Sequence, residues 1–139
     1  MDVKLDWKED LQFTGFNSHG NEVTLGGRHL DGTPPAGFTP LELILVGLAG
    51  CTAMDVISIL EKKRQEVTDF KVNVHAERAP DHPKVFTDVT IEYILSGPDL
   101  DSEAVIRSVE LSETKYCSAM AMLRKNSPIH TRITLIKSS

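Results

Sequence analysis

The sequence predicts an α+β protein with two central helices, on three observations. Charged and apolar residues alternate in several short segments, which indicates strands with one buried face. Two longer segments, at about 40–65 and 102–125, carry apolar residues at three- and four-residue steps, as helices do. In chain order the elements read β-β-β-α-β-β-α-β, a mixture that is typical of α+β folds.

The N-terminal segment predicts a three-stranded meander followed by a loop. Residues 2–8 and 11–16 alternate with period two, and residues 22–25 provide a third strand. Between them, residues 17–20 have the Asn-Ser-His-Gly composition of a turn. Residues 28–38 hold two glycines and two prolines, so we expect a surface loop that is a candidate lid or pocket wall.

The first helix has a clear start signal. Thr39 is followed by proline and then, at the third position after it, by Glu42, which predicts a capping box at the helix N-terminus. We expect the helix to reach about Gln65. Gly47 and Gly50 each weaken a helix by about 1 kcal/mol relative to alanine, so we expect close packing against a second helix at this point.

The C-terminal half predicts a hairpin, a helical segment and a last strand. Residues 70–77 and 85–95 both alternate, and their separation predicts a long antiparallel hairpin. Asp101 or Ser102 is a suitable N-cap for the second helical segment. Residues 129–136 then close the chain as a strand.

Length and charge limit the classes of function. The 139 residues predict one domain, residues 1–139. A net charge of −5, spread over both signs, argues against a nucleic-acid partner. Charges near the N-terminus argue against a signal peptide, and Glu42 and Asp55 interrupt the most apolar segment, 41–60. We therefore expect no span long enough to cross a membrane, and a cytoplasmic location.

Neither metal nor cofactor is predicted. The five histidines are scattered over strands and loops, with no spacing that gathers ligands on one face. A thioredoxin-like Cys-x-x-Cys motif does not occur in the sequence. We therefore expect that the protein binds neither a cofactor nor a metal ion.

The two cysteines are the strongest functional signal. Cys51 and Cys117 lie one in each helical segment, beside small residues that allow close approach of backbones. Structural disulfides are rare in the cytoplasm, so a transient or catalytic pair is the better explanation if the two sulfurs meet. The alternative is that both cysteines are small buried apolar residues.

Several motifs resemble the OsmC/Ohr family of osmotically inducible and organic hydroperoxide resistance proteins. They are Thr-Pro-Leu-Glu at 39–42, Gly-Leu-Ala-Gly-Cys at 47–51, His-Pro-Lys-Val-Phe-Thr at 82–87 and Lys-Tyr-Cys-Ser at 115–118. The resemblance covers nearly the whole chain and is closest to the branch of the YhfA-type proteins. It implies an intertwined homodimer with active sites at the subunit interface, in which a six-stranded sheet wraps two central helices. We expect the sheets to be antiparallel.

The same resemblance implies a reaction. Cys51 would attack a hydroperoxide, Cys117 would resolve the sulfenic acid as a disulfide, and a dithiol would reduce the enzyme again. Better-known members add an arginine from an N-terminal loop and a glutamate directly after the helix-start proline. Here the candidate assisting residues are Arg28, which is the first arginine of the chain, and Glu42, which lies one position later and therefore about 100° around the helix.

Neighbouring charges give further expectations. An ionised Asp55, one turn after Cys51, would raise the pKa of a nearby thiol, so we expect it to be turned away or paired with a base. Lys115 is one candidate for that base, although a surface lysine is the better interpretation. The leading hypothesis is reduction of hydroperoxides, preferably organic ones. The alternatives are a non-catalytic dimer that binds a small ligand or senses oxidants, and a purely structural dimer.

Overall fold

The computed structural model describes residues 1–138 and shows an α+β protein. The chain forms two compact units, the first covering Met1–Leu45 and the second beginning at Val46. In chain order the elements are β1 (Val3–Glu9), β2 (Gln12–Asn17), β3 (Glu22–Gly26), α1 (Pro40–Lys62), β4 (Asp69–Arg78), β5 (Phe86–Gly97), α2 (Ser102–Leu111), a π-helical turn (Ser112–Tyr116), α3 (Ser118–Leu123) and β6 (Ile129–Lys137).

The first unit contains the predicted meander. Strands β1, β2 and β3 form an antiparallel sheet in that order. The loop before α1 returns to this sheet, since the Phe38 N–H donates to the Thr24 carbonyl at 3.2 Å. Gly37 permits this approach, because a Cβ at Gly37 would lie 2.3 Å from that carbonyl oxygen.

The predicted capping box at the start of α1 is confirmed. The Thr39 N–H donates to Glu42 Oε1 at 2.9 Å, and the Glu42 N–H donates to Thr39 Oγ1 at 3.4 Å. The helix ends at Lys62 rather than near Gln65. Arg64 adopts a left-handed backbone, with φ of 57°, and the Gln65 N–H donates to the Leu60 carbonyl, which closes the helix earlier.

Helix α1 contributes a stripe at four-residue steps to the core of the second unit. The fully buried members of this stripe are Leu48, Thr52, Val56 and Leu60. The packing expected at Gly47 and Gly50 is absent within the described chain. Apart from its chain neighbours and the backbone of its own helix, an added Cβ at either position would have no atom within 4 Å. The glycine face of α1 is therefore open in the single chain.

The expectation that no segment is long and apolar enough to cross a membrane is wrong, because the length and composition of one helix would allow it. Helix α1 meets both criteria, although only 22% of its most apolar window is buried in the single chain. A core helix of a globular protein passes the same test. The buried stripe of α1 is consistent with a core helix, since its side chains pack inside the second unit.

The sheet of the second unit is mixed. Strands β4 and β5 form the predicted antiparallel hairpin, and β5 lies between β4 and β6. Strands β5 and β6 are parallel, so the expectation of antiparallel sheets is wrong for this pair. The reason is topological: helical elements connect β5 to β6, and such a crossover returns the chain to the same end of the sheet. The six strands thus form two three-stranded sheets.

The helical connection between β5 and β6 contains a π-helical turn. Asp101 is the N-cap of α2, as predicted, and its side chain accepts from the Glu103 N–H at 3.0 Å. After α2 the turn closes with the Cys117 N–H donating to the Ser112 carbonyl at 2.8 Å. Short π-helical segments occur frequently at functional sites. This turn fixes the position of Cys117 relative to Ser112.

Candidate active site

The second unit brings the two cysteines together. Cys51 lies in the middle of α1 and is half-buried, whereas Cys117 follows the π-helical turn and is 3% exposed. Both are free thiols, and the Cys51 side chain is one of the neighbours that raise the pKa of Cys117. The two helical segments therefore place both thiols in one site, with Cys51 as the more accessible sulfur.

Cys117 is held as a neutral thiol. Burial, together with the neighbouring Cys51 and Asp55, raises its pKa to about 11, although the Met120 N–H donates to its sulfur at 3.4 Å and opposes this shift. The same contact makes Cys117 the N-cap of α3. At neutral pH Cys117 needs a proton acceptor before it can act as a nucleophile, because the thiolate is the reactive form.

This pKa gives a prediction for the variant Cys51→Ser, in which Cys117 is the one remaining cysteine. We expect alkylation of Cys117 by iodoacetamide to be slow at neutral pH and to rise by about tenfold per pH unit between pH 7 and pH 9. The reason is that burial, the largest cause of the raised pKa, remains when Cys51 is replaced, and the thiolate is the nucleophile. Mass spectrometry of samples quenched at timed intervals measures the rate. A rate that levels off at pH 8 would contradict the raised pKa.

Asp55 is paired, but not with a base. Its Oδ2 atom accepts a hydrogen bond of 2.9 Å from the Ser112 hydroxyl. The two alternatives for Asp55, a carboxylate turned away or one paired with a base, are therefore both wrong, whereas Lys115 is exposed, as expected of a surface lysine. Asp55 also contributes to the raised pKa of Cys117, so its charge acts on the thiol site.

A buried hydrogen-bond chain extends from Asp55. Ser112 Oγ lies 2.8 Å from Thr52 Oγ1, which lies 2.8 Å from the Tyr93 hydroxyl, and Tyr93 donates to Glu113 Oε1 at 2.9 Å. The three hydroxyl-bearing residues are fully buried. Burial raises the pKa of Tyr93 above its usual range, so it remains a neutral phenol.

The sequence analysis did not identify these hydroxyl groups, although a signal was present. Thr52 stands between Leu48 and Val56 on the buried stripe of α1. Tyr93 stands between Ile91 and Leu95 on the buried face of β5. A hydroxyl on a core-facing position needs a buried partner, and two such positions on neighbouring elements indicate a polar network.

The two candidate assisting residues lie together in the first unit. Arg28 and Glu42 line a cavity of about 350 Å³ with His29, Thr39 and the proline-containing loop. The hydrogen bond from Thr39 and, to a smaller extent, the charge of Arg28 lower the pKa of Glu42. The loop therefore lines a pocket, as expected, and Glu42 has the predicted capping role.

Metal binding has no evident ligand set in the part of the chain that the structure describes. Among residues 1–138, no group of three or more His, Cys, Asp or Glu side chains could hold a metal ion. The site contains two neighbouring thiols, a buried phenol and two carboxyl groups. The class of protein that these observations support is a small α+β protein with two free cysteines in one unit.

Comparison with known proteins defines the family. A model of the OsmC-like protein family matches residues 31–132, and the chain belongs to this family. Protein YhfA of Escherichia coli K12 is 39% identical over 125 residues, which cover 90% of either chain. The resemblance inferred from the sequence motifs is confirmed.

Solved structures share the fold. A hypothetical protein from Aquifex aeolicus has a TM-score of 0.88 and 32% identity, over 99% of this chain and 97% of that one. More distantly, the organic hydroperoxide resistance protein OhrB of Bacillus subtilis has a TM-score of 0.69 and 16% identity, over 96% and 98% of the chains. At this identity the likeness to the Bacillus protein concerns the fold alone.

Proposed function

We propose that this protein reduces organic hydroperoxides through Cys51 as the attacking thiol and Cys117 as the resolving thiol. The observation that supports the proposal is the placement of a half-buried and a buried free cysteine beside each other. Membership of the OsmC/Ohr family suggests hydroperoxide resistance or a redox function. The assignment of the two roles follows from accessibility, since a peroxide reaches the more exposed sulfur first.

The proposed reaction has two steps. The Cys51 thiolate attacks the O–O bond, an S–O bond forms, and the alkoxide leaves as an alcohol after taking up a proton. Cys117 then attacks the sulfenic acid, so that a disulfide and water form. A dithiol of the cytoplasm restores both thiols by exchange. Arg28 and Glu42 are proposed to assist the first step, Arg28 by its permanent positive charge.

The active form is proposed to be an intertwined homodimer of single-domain chains. Strand β1 exposes Val3, Leu5 and Trp7, and a largely apolar groove of about 540 Å³ lies on the first sheet. Helix α1 also leaves Met54 exposed beside its open glycine face. Apolar surfaces of this extent are usually covered by a partner, and a second copy would cover them. In such a dimer the sheets would enclose the central helices.

The experiment that tests the function is peroxide consumption by the purified protein with dithiothreitol as reductant. We expect turnover of cumene hydroperoxide, and a disulfide between the two cysteine-containing peptides after one equivalent of peroxide without reductant. Peptide mass spectrometry identifies the bond. If the wild-type protein neither consumes peroxide nor forms this disulfide, the redox proposal is wrong.

A non-catalytic role is the second candidate, and one observation favours it. If a second copy does not cover it, the apolar groove on the first sheet is large enough for a small ligand, and it lies in a unit that holds neither cysteine. A ligand-binding protein would show no peroxide turnover, and it would bind an apolar dye such as ANS in competition with its ligand.

A further inference from the structure

The buried hydrogen-bond chain has one more contact than its own hydroxyl groups can fill. Four short contacts, of 2.8 to 2.9 Å, join five side chains in the order Asp55, Ser112, Thr52, Tyr93, Glu113. Each contact has the length of a hydrogen bond and needs one proton. The three hydroxyl groups supply three protons, and ionised carboxylates supply none. The chain therefore has a place for one further proton.

With that fourth proton the chain has two equivalent arrangements. If Asp55 holds the proton, every hydroxyl donates toward Glu113; if Glu113 holds it, every hydroxyl donates toward Asp55. In both arrangements all four contacts are filled and the oxygen atoms stay in place. The Thr52 contacts are compatible with donation in either direction, and the additional approach of Ser112 Oγ to the Thr52 carbonyl is longer, at 3.4 Å. A proton can thus pass from one end to the other.

The two ends of the chain lie at different places. Asp55 is half-buried and accepts from the Ser112 hydroxyl at 2.9 Å, while the Ser112 carbonyl accepts from the Cys117 N–H at 2.8 Å, so this end of the chain lies next to Cys117. In agreement with this placement, the charge of Asp55 raises the pKa of Cys117. At the other end Glu113 accepts hydrogen bonds of 2.7 and 2.9 Å from Thr131, which is exposed to solvent. The chain therefore connects the surroundings of the buried thiol to the protein surface through three residues that water does not reach.

We propose that this chain is the proton path for the resolving cysteine, an inference that rests on the proposed function. When Cys117 attacks the Cys51 sulfenic acid, its S–H bond breaks and the proton passes to Asp55. The electron pair of the Cys117 sulfur forms the S–S bond, and the S–O bond at Cys51 breaks. Cys117 is oxidised, the sulfenic sulfur is reduced, and the departing hydroxide becomes water with a solvent proton.

The other end of the chain then completes the transfer. Asp55 donates to Ser112, each hydroxyl passes its own proton onward, and Glu113 receives one and releases it to solvent. The path solves a specific problem of this site, because a buried thiol with a pKa of about 11 has no thiolate to offer at neutral pH. In this proposal Asp55 is the proton acceptor, and the three hydroxyl-bearing residues are positioning residues that act through it.

The test interrupts the chain without removing volume. Tyr93→Phe and Thr52→Val each delete one oxygen, and Thr52→Ser keeps it. After one equivalent of cumene hydroperoxide, acid-quenched samples are analysed by mass spectrometry for sulfenic acid and disulfide. We expect the first step to keep its rate and the second to slow by at least about tenfold, because general acid–base catalysis typically contributes about 10²–10⁴-fold. Thr52→Ser should restore the disulfide step.

The pH dependence of the disulfide step distinguishes a proton path from a merely structural role of these residues. Above pH 8 hydroxide replaces the path, so the disulfide step of Tyr93→Phe should accelerate by about tenfold per pH unit, whereas the wild-type rate should change less. The matched controls are Tyr116→Phe, at an exposed tyrosine, and Ser108→Ala, at a buried serine that donates to the Ala104 carbonyl. Both should behave as the wild type.

The outcomes separate the two proposals. Diamide oxidises thiol pairs without peroxide, and its second step also requires Cys117 to lose a proton. If peroxide does not oxidise Cys51 but Tyr93→Phe slows diamide-driven disulfide formation, the proposed function fails and the path stands. If the disulfide step is unchanged in Tyr93→Phe and Thr52→Val, the path is overturned. Should either variant not fold, Ser112→Ala interrupts the same chain at another oxygen.

Discussion

Replacing Cys51 with serine should reduce hydroperoxide consumption to the background rate of the dithiol alone. The serine hydroxyl is a much weaker nucleophile at neutral pH than a thiolate, and the structure offers no second accessible cysteine in the described chain, since Cys117 is buried. The measurement is steady-state loss of cumene hydroperoxide with dithiothreitol in excess. The size of the effect makes Cys51→Ser the most informative single substitution for the reaction.

The matched variant Cys117→Ser should behave differently. It retains the attacking thiol, so one equivalent of peroxide should still oxidise Cys51, and a sulfenic acid that dimedone can trap should accumulate in place of the disulfide. Equal peroxide consumption by Cys51→Ser and the wild type would exclude the proposed role of Cys51. Trapping of sulfenic acid at Cys117 rather than at Cys51 would reverse the assigned roles.

Leu48→Ala should lower the free energy of unfolding by about 2–5 kcal/mol, the range measured for buried leucines. The Leu48 side chain is fully buried on the core-facing stripe of α1, so its removal leaves a cavity beside the stripe that also carries Thr52. Denaturation by urea, followed by circular dichroism, measures the change. A loss of this size is a large fraction of the stability of a typical small domain.

The control for this substitution is Leu30→Ala. Leu30 is fully exposed in the loop before α1, so the same chemical change there removes little packing. We expect its unfolding curve to overlay that of the wild type. Equal destabilisation by both variants would indicate that Leu48 does not pack in the core as the structure shows.

Local signals in the sequence were sufficient to predict most of the elements. The capping box at Thr39 and Glu42 and the cap at Asp101 depend on hydrogen bonds between near neighbours in the chain, and both are present. Strand alternation likewise reports which side chains face the core, as β5 shows. The two thiols could also be predicted as a pair, chiefly because the family motifs surround them.

Features that depend on residues far apart in the sequence could not be predicted from local patterns. The parallel pairing of β5 and β6 depends on which way the intervening helices return the chain, and alternation within a strand carries no information on direction. The early end of α1 depends on the left-handed backbone at Arg64, a conformation that residues other than glycine adopt uncommonly. The hydrogen-bond partner of Asp55, Ser112, lies 57 positions away, and spacing in the sequence gives no indication of such a contact.

The cap at the start of α3 links the oxidation state of one sulfur to the backbone of a helix. The Met120 N–H donates to the Cys117 sulfur in the reduced protein. A disulfide redirects that sulfur toward Cys51 and leaves it a poorer acceptor, which would loosen the first turn of α3. The chemical shift of the Met120 amide should therefore report whether the two cysteines are free thiols or joined in a disulfide.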